Sequence, residues 1–96
     1  MQEHDESPRC VYGDAAFKQL FEALDLQTDK QKAAFLGIRE STFNRLRRHQ
    51  LLPGNKIFAS TFLAIENEPR LQGNPAADFR KLFPIKKLPA KELVSA

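Results

Sequence analysis

The sequence predicts an all-α domain of five short helices, and three observations lead there. Apolar residues recur at helical spacing, as Phe17, Leu20, Phe21 and Leu24 do, and Pro, Gly and Asn separate one such stripe from the next. No segment alternates apolar and polar residues over a useful length, so the pattern offers no strand. A chain of 96 residues with 42% hydrophobic residues suits a single domain with one modest core.

Residues 1–13 are polar, contain Pro8 and Gly13 and show no periodicity, which predicts a flexible acidic leader. Gly13-Asp14 marks the entrance to the first helix, expected over about 14–26. Thr28 offers an N-cap with Gln31 three residues on, the spacing of a capping box, and the second helix then runs to Gly37. After Gly37-Ile38-Arg39, Glu40 or Ser41 starts a third helix reaching Arg48, with Phe43 and Leu46 on its apolar face.

Leu52-Pro53-Gly54-Asn55 is a turn by composition, with Asn55 as the N-cap of a fourth helix that ends before Pro69. Its apolar side is expected to be Ile57, Phe58, Thr61, Phe62 and Ile65, with Phe58 and Phe62 in the core. Asn74-Pro75 then caps a fifth helix, Ala76 to Phe83, which Pro84 stops. The domain is thus expected over 14–84. The tail, 85–96, reads equally as a short strand or as disordered, and Leu93-Val94-Ser95-Ala96 as a frayed end or a proteolysis signal.

Composition excludes several classes. Mean hydropathy is −0.47 and no apolar run approaches the ~18 residues of a transmembrane helix, so a soluble chain is expected. MQEHDESPRC lacks a basic region followed by an apolar stretch, so no signal peptide is expected and the cytoplasm is the expected compartment. The lone Cys10 has no disulfide partner, and with His4 and His49 it makes too sparse a set for zinc; no metal or cofactor is expected. No organised acid pair, nucleophile-base pair or glycine-rich phosphate loop suggests an enzyme.

The formal charge of +3 hides an asymmetry. Residues 1–29 carry seven acidic and two basic side chains, whereas residues 30–96 carry five acidic and thirteen basic ones. A basic body behind an acidic leader fits a polyanionic partner, and it fits an ordinary solvated basic face equally well.

The informative stretch is DKQKAAFLGIRESTFNRLRR, Asp29 to Arg48. Two short helices joined by a three-residue turn containing glycine form a helix-turn-helix arrangement. Ala33 is small where the two helices cross, and Gly37 permits the turn backbone. Leu36, Ile38, Phe43 and Leu46 fix the second helix against the core, which turns its polar, basic face outward. Arg47 lies about 100° from Arg48 around that helix, so Arg45, Arg47 and Arg48 do not all share one groove. His49 reads as a solvated helix-end residue.

Residues 33–46, AAFLGIRESTFNRL, resemble the helix-turn-helix of Cro/repressor-type (XRE-like, lambda-repressor-like) regulators. With Pro53-Gly54-Asn55-Lys56-Ile57-Phe58-Ala59 and Phe79-Arg80-Lys81-Leu82-Phe83, the chain is similar over about 14–84 to regulators of actinobacteria and their phages. Lys32 departs from that pattern, which usually has an apolar residue there. The resemblance implies that the second motif helix enters the major groove of duplex DNA with its first residues at base edges. It puts Arg39, Glu40, Ser41 and Arg45 at base-reading positions with Asn44 beside them, and Thr28, Lys30, Thr42 and Arg48 at phosphate-facing ones.

The side-chain chemistry agrees. Arginine pairs with guanine, Asn44 suits adenine, and Glu40 accepts from cytosine or steadies Arg45. Lys56, at the start of the fourth helix, faces either phosphate or solvent. The expected function is a sequence-specific transcriptional regulator, a repressor or Cro-like switch protein of a phage or prophage, blocking polymerase at an operator. The alternative is a protein-interaction module on the same fold. Such regulators commonly dimerise on half-sites about one helical turn apart; the candidate dimer surfaces are the fifth helix and the tail, and a monomer on one asymmetric site stays open.

Overall fold

The computed structural model describes residues 6–89. The leader's acidic Glu3 and Asp5, and the terminal Leu93-Val94-Ser95-Ala96, lie outside the described residues. Helix α1 spans Asp14–Ala23 and buries Phe17, Leu20 and Phe21, the stripe that the spacing predicts. It stops three residues short of the expected end because Asp25 adopts a left-handed conformation (φ 56°). The Leu26 amide then donates to the Phe21 carbonyl at 2.9 Å, closing the helix end.

Helix α2 (Asp29–Leu36) starts on the expected capping box: Thr28 Oγ1 accepts from the Gln31 amide, and the Gln31 side chain accepts from the Thr28 amide, both at 3.1 Å. It ends at Gly37, where φ is 72° and a Cβ would lie 2.6 Å from Ser60 Oγ. The position therefore needs glycine twice over, for backbone and for space. Lys32, out of pattern in the sequence, is half-buried and lays its ammonium 5.5 Å from the Phe21 ring centre.

Helix α3 (Glu40–Arg47) follows after three residues and buries Phe43 and Leu46. It starts at Glu40, one of the two expected first residues, with Arg39 as its N-cap and Arg48 as its C-cap. Helix α4 (Asn55–Glu66) has Gly54, not Asn55, at its N-cap. It buries Ile57 and Thr61, but Phe62, expected in the core, is 53% exposed and meets Phe79 only edge-on. Phe62 is one residue round from Thr61, about 100° off the buried line.

The fifth helix is shorter than expected and broken. A 3-10 turn covers Pro75–Ala77, and α5 is only Phe79–Leu82. Asn74 Oδ1 accepts from the Ala76 amide at 2.8 Å and Asp78 Oδ1 from the Arg80 amide at 3.0 Å. Each carboxyl or amide side chain starts its own turn and interrupts the run between them. A further 3-10 turn, Pro69–Leu71, is capped by Glu68, whose carboxylate is held below its usual range by side-chain and backbone hydrogen bonds from Arg70.

The fold is mostly helical but not all-α. Strands β1 (Glu6–Cys10) and β2 (Ile85–Pro89) pair antiparallel in a two-stranded ribbon, with Arg9 opposite Lys86 and Cys10 opposite Ile85. Residues 6–13 are therefore not a flexible leader, and the first part of the tail is a strand. The ladder continues inward: the Val11 amide donates to the Pro84 carbonyl at 2.9 Å and the Gly13 amide to the Leu82 carbonyl at 2.8 Å. Gly13 is required by that approach, since a Cβ there would collide with the Lys81 and Leu82 carbonyl oxygens.

Val11 and Tyr12 are buried. Tyr12 stacks on Phe17 at 4.4 Å, and Phe83 meets Phe17 on one side and Phe58 and Phe79 on the other at 5.0–5.3 Å between ring centres. An aromatic spine thus joins the two strands to the helices.

Candidate nucleic-acid interface

Arg39, Glu40, Ser41 and Arg45 are all exposed, at the start and along the outer face of α3, whose Phe43 and Leu46 are fixed in the core. Burial of two residues three apart leaves the helix no freedom to roll, so the outward side chains keep a defined direction. Thr42 is half-buried beside them, and Arg48 is exposed just past the end of the helix.

Asn44 and Arg47 form a different group. One Arg47 guanidinium nitrogen (Nη2) donates to Asp29 Oδ2 at 3.1 Å and to Asn44 Oδ1 at 2.6 Å, while the guanidinium lies 5.9 Å from the Phe43 ring centre. Arg47 therefore clasps the last turn of α3 to the first turn of α2. This also covers the Asp29 charge next to Thr28 and Lys30, where a bare carboxylate would repel phosphate. The Asn44 carbonyl oxygen is taken by this clasp, which leaves its amide N–H groups to face outward chemistry. Nothing local in the sequence signals the clasp, because Asp29 and Arg47 are 18 residues apart.

Thr28 and Lys30 are exposed at the start of α2. The Thr28 hydroxyl oxygen is engaged in its capping bond, so toward a phosphate it has its O–H to offer. Lys56 is exposed in the first turn of α4, and a groove between that turn and the α2–α3 connection is lined by Arg39, Thr42, Lys56 and Ser60. The structure thus brings Arg39, Thr42 and Lys56 together. Ser60 props the groove by donating to the Leu36 carbonyl at 2.6 Å.

His49 takes a left-handed conformation (φ 60°) after α3, and the Gln50 amide donates to the Arg45 carbonyl at 2.8 Å to close the helix end. Its ring Nε2 lies 3.1 Å from Asp14 Oδ2, an exposed pairing that ties α3 to the start of α1. Burial pushes the Tyr12 phenol pKa well above its ordinary value, with Asp14 adding to the rise and Arg47 opposing it.

In α5, Leu82 is buried and the exposed side chains are the basic Arg80 and Lys81. The exposed large apolar side chains among the described residues are Phe62 and Leu63 of α4 and Ile85 of β2. No helix among the described residues is long and apolar enough to cross a membrane. No known protein family matches the chain, and neither a curated protein nor a solved structure does.

Proposed function

We propose that this chain is a sequence-specific duplex DNA-binding regulator of lambda-repressor-like helix-turn-helix type, acting in a bacterial cytoplasm as a repressor or Cro-like switch protein. The observation that carries the reading is the α2–α3 pair: a short glycine turn, a second helix held by buried Phe43 and Leu46, and Arg39, Glu40, Ser41 and Arg45 left exposed on its outer side. Arg45 is the principal reader of a guanine edge, supported by Arg39, with Glu40 and Ser41 on neighbouring bases. Asn44 contributes only its amide N–H groups. Thr28, Lys30, Thr42, Arg48 and Lys56 hold phosphates and supply most of the affinity and its salt dependence. Repression follows from occupying an operator that polymerase needs.

The test is selection of binding sites from random duplex DNA with the purified chain at about physiological salt. A strong enriched motif is expected, a palindrome if two copies bind together and an asymmetric site if one does. On that motif Arg45→Ala is expected to cost about 1–3 kcal/mol and to relax the preference at one position. Arg48→Ala weakens binding to all sequences alike and flattens the salt slope by roughly one unit. No enrichment, with weak binding that disappears as salt rises, overturns the reading in favour of a protein-interaction module.

A further inference from the structure

The β1–β2 ribbon carries a charge arrangement that its own stability does not call for. Arg9 and Lys86 are directly opposite each other, so they leave the same face of the ribbon, and both are exposed. Like charges directly opposite on an antiparallel pair repel and weaken it. Lys87, also exposed and opposite Pro8, leaves the other face of the ribbon. Lysine on a strand edge does guard against unwanted pairing, but that purpose needs no second cation across the ladder.

The position of the ribbon gives the arrangement a partner. Arg9 and Cys10 line one groove together with Pro53, Asn55 and Lys56. Lys56 also lines the neighbouring groove with Arg39 and Thr42. The two grooves meet at Lys56, so a basic track runs from Arg39 at the start of α3, through Lys56, to Arg9 and across the ladder to Lys86. A line of cations along a surface fits a polyanion of regular charge spacing better than it fits a compact ligand.

We propose that the ribbon is a second phosphate-contacting arm, in which Arg9 and Lys86 grip the duplex backbone beyond the segment that α3 reads. This rests on the function proposed above and extends the footprint past the helix pair. Phosphate contacts of this kind carry no base preference; they add affinity and salt dependence.

The experiment compares the full chain with a variant carrying Arg9→Gln and Lys86→Gln, on the enriched duplex at two lengths. One length includes about one helical turn of flanking DNA on each side, and the other is trimmed to the motif. Both side chains are exposed and their charges repel, so a urea midpoint equal to or slightly above that of the wild-type chain is expected to show an intact fold. The wild-type chain is expected to lose roughly tenfold or more in affinity when the flanks are removed. The variant, already that much weaker on the long duplex, loses little on trimming, and its salt slope is smaller by about 2 units.

Equal affinity of variant and wild type on the long duplex overturns the arm, as does an equal loss on both lengths, which marks a general charge effect. In either case an enriched motif still stands for the function. If the wild-type chain enriches no motif at all, the function fails and the arm fails with it.

Discussion

At the scale of single residues, Thr61 is the instructive one. It is fully buried in α4, and its hydroxyl oxygen meets no hydrogen-bond partner among the described residues. A desolvated hydroxyl without a partner costs about 1–3 kcal/mol. Thr61→Val keeps the branched shape and removes the polar atom, so the variant is expected to be more stable by about 1 kcal/mol. Urea unfolding checks this: the midpoint rises while the slope is unchanged, and a lower midpoint would mean that the hydroxyl is satisfied. Helical spacing was enough to put Thr61 inward beside Ile57, because burial on a helix depends on angle alone. The same spacing put Phe62 inward and failed, since Ile57, Phe58, Thr61, Phe62 and Ile65 span a wider arc than the core covers.

At the scale of elements, the α2–α3 pair shows what a sequence can and cannot disclose. Thr28, Gln31 and Gly37 act on neighbours three or four residues away, so the capping box and the turn are legible from spacing. The break at Asp78 is local too, yet it competes with an apolar pattern through Phe79, Leu82 and Phe83 that continues across it. The bond between Asp29 and Arg47 is not legible, because it exists only once the two helices cross. It separates Arg47 from Arg45 and Arg48, which the sequence presents as one basic run.

That separation is measurable in a double-mutant cycle. Arg47→Ala is expected to lower stability by about 1–2 kcal/mol through lost packing and pairing, and Asp29→Ala by less. The double variant loses less than the two singles together, because they share one interaction. At fixed folded concentration, Arg47→Ala retains the base preference that Arg45→Ala relaxes. Strict additivity in urea unfolding, or a changed motif for Arg47→Ala, would move Arg47 from the clasp to the reading face.

At the scale of the whole molecule, the first and last described strands are joined to each other and to the core. Glu6–Cys10 and Ile85–Pro89 pair across nearly the full length of the domain, and a short strand containing Pro8 beside a lysine-rich one has no local pattern to announce it. Sequence separation hides such a closure, as it hides the clasp. Its inner end is Tyr12, the one tyrosine in the chain, stacked on Phe17 and raised in pKa chiefly by burial.

The closure therefore has a reporter and a pH signature. Above about pH 10 the unfolded chain releases its phenolic proton while the folded chain keeps it. The unfolded state then binds fewer protons, so stability falls as pH rises through that region, by at most one proton per molecule; below it the phenol has no effect. Tyr12→Phe is expected to lose this component of the alkaline decline while keeping whatever the lysines contribute. Urea midpoints between about pH 9 and 11.5 for both chains give the difference. In the wild-type chain, tyrosinate absorbance is expected to rise only as the helical circular-dichroism signal is lost. Absorbance that rises near pH 10 with the helices intact would mean that water reaches Tyr12 without unfolding. The ribbon end would then open independently of the core, and an arm gripping DNA would be hinged there rather than held rigid.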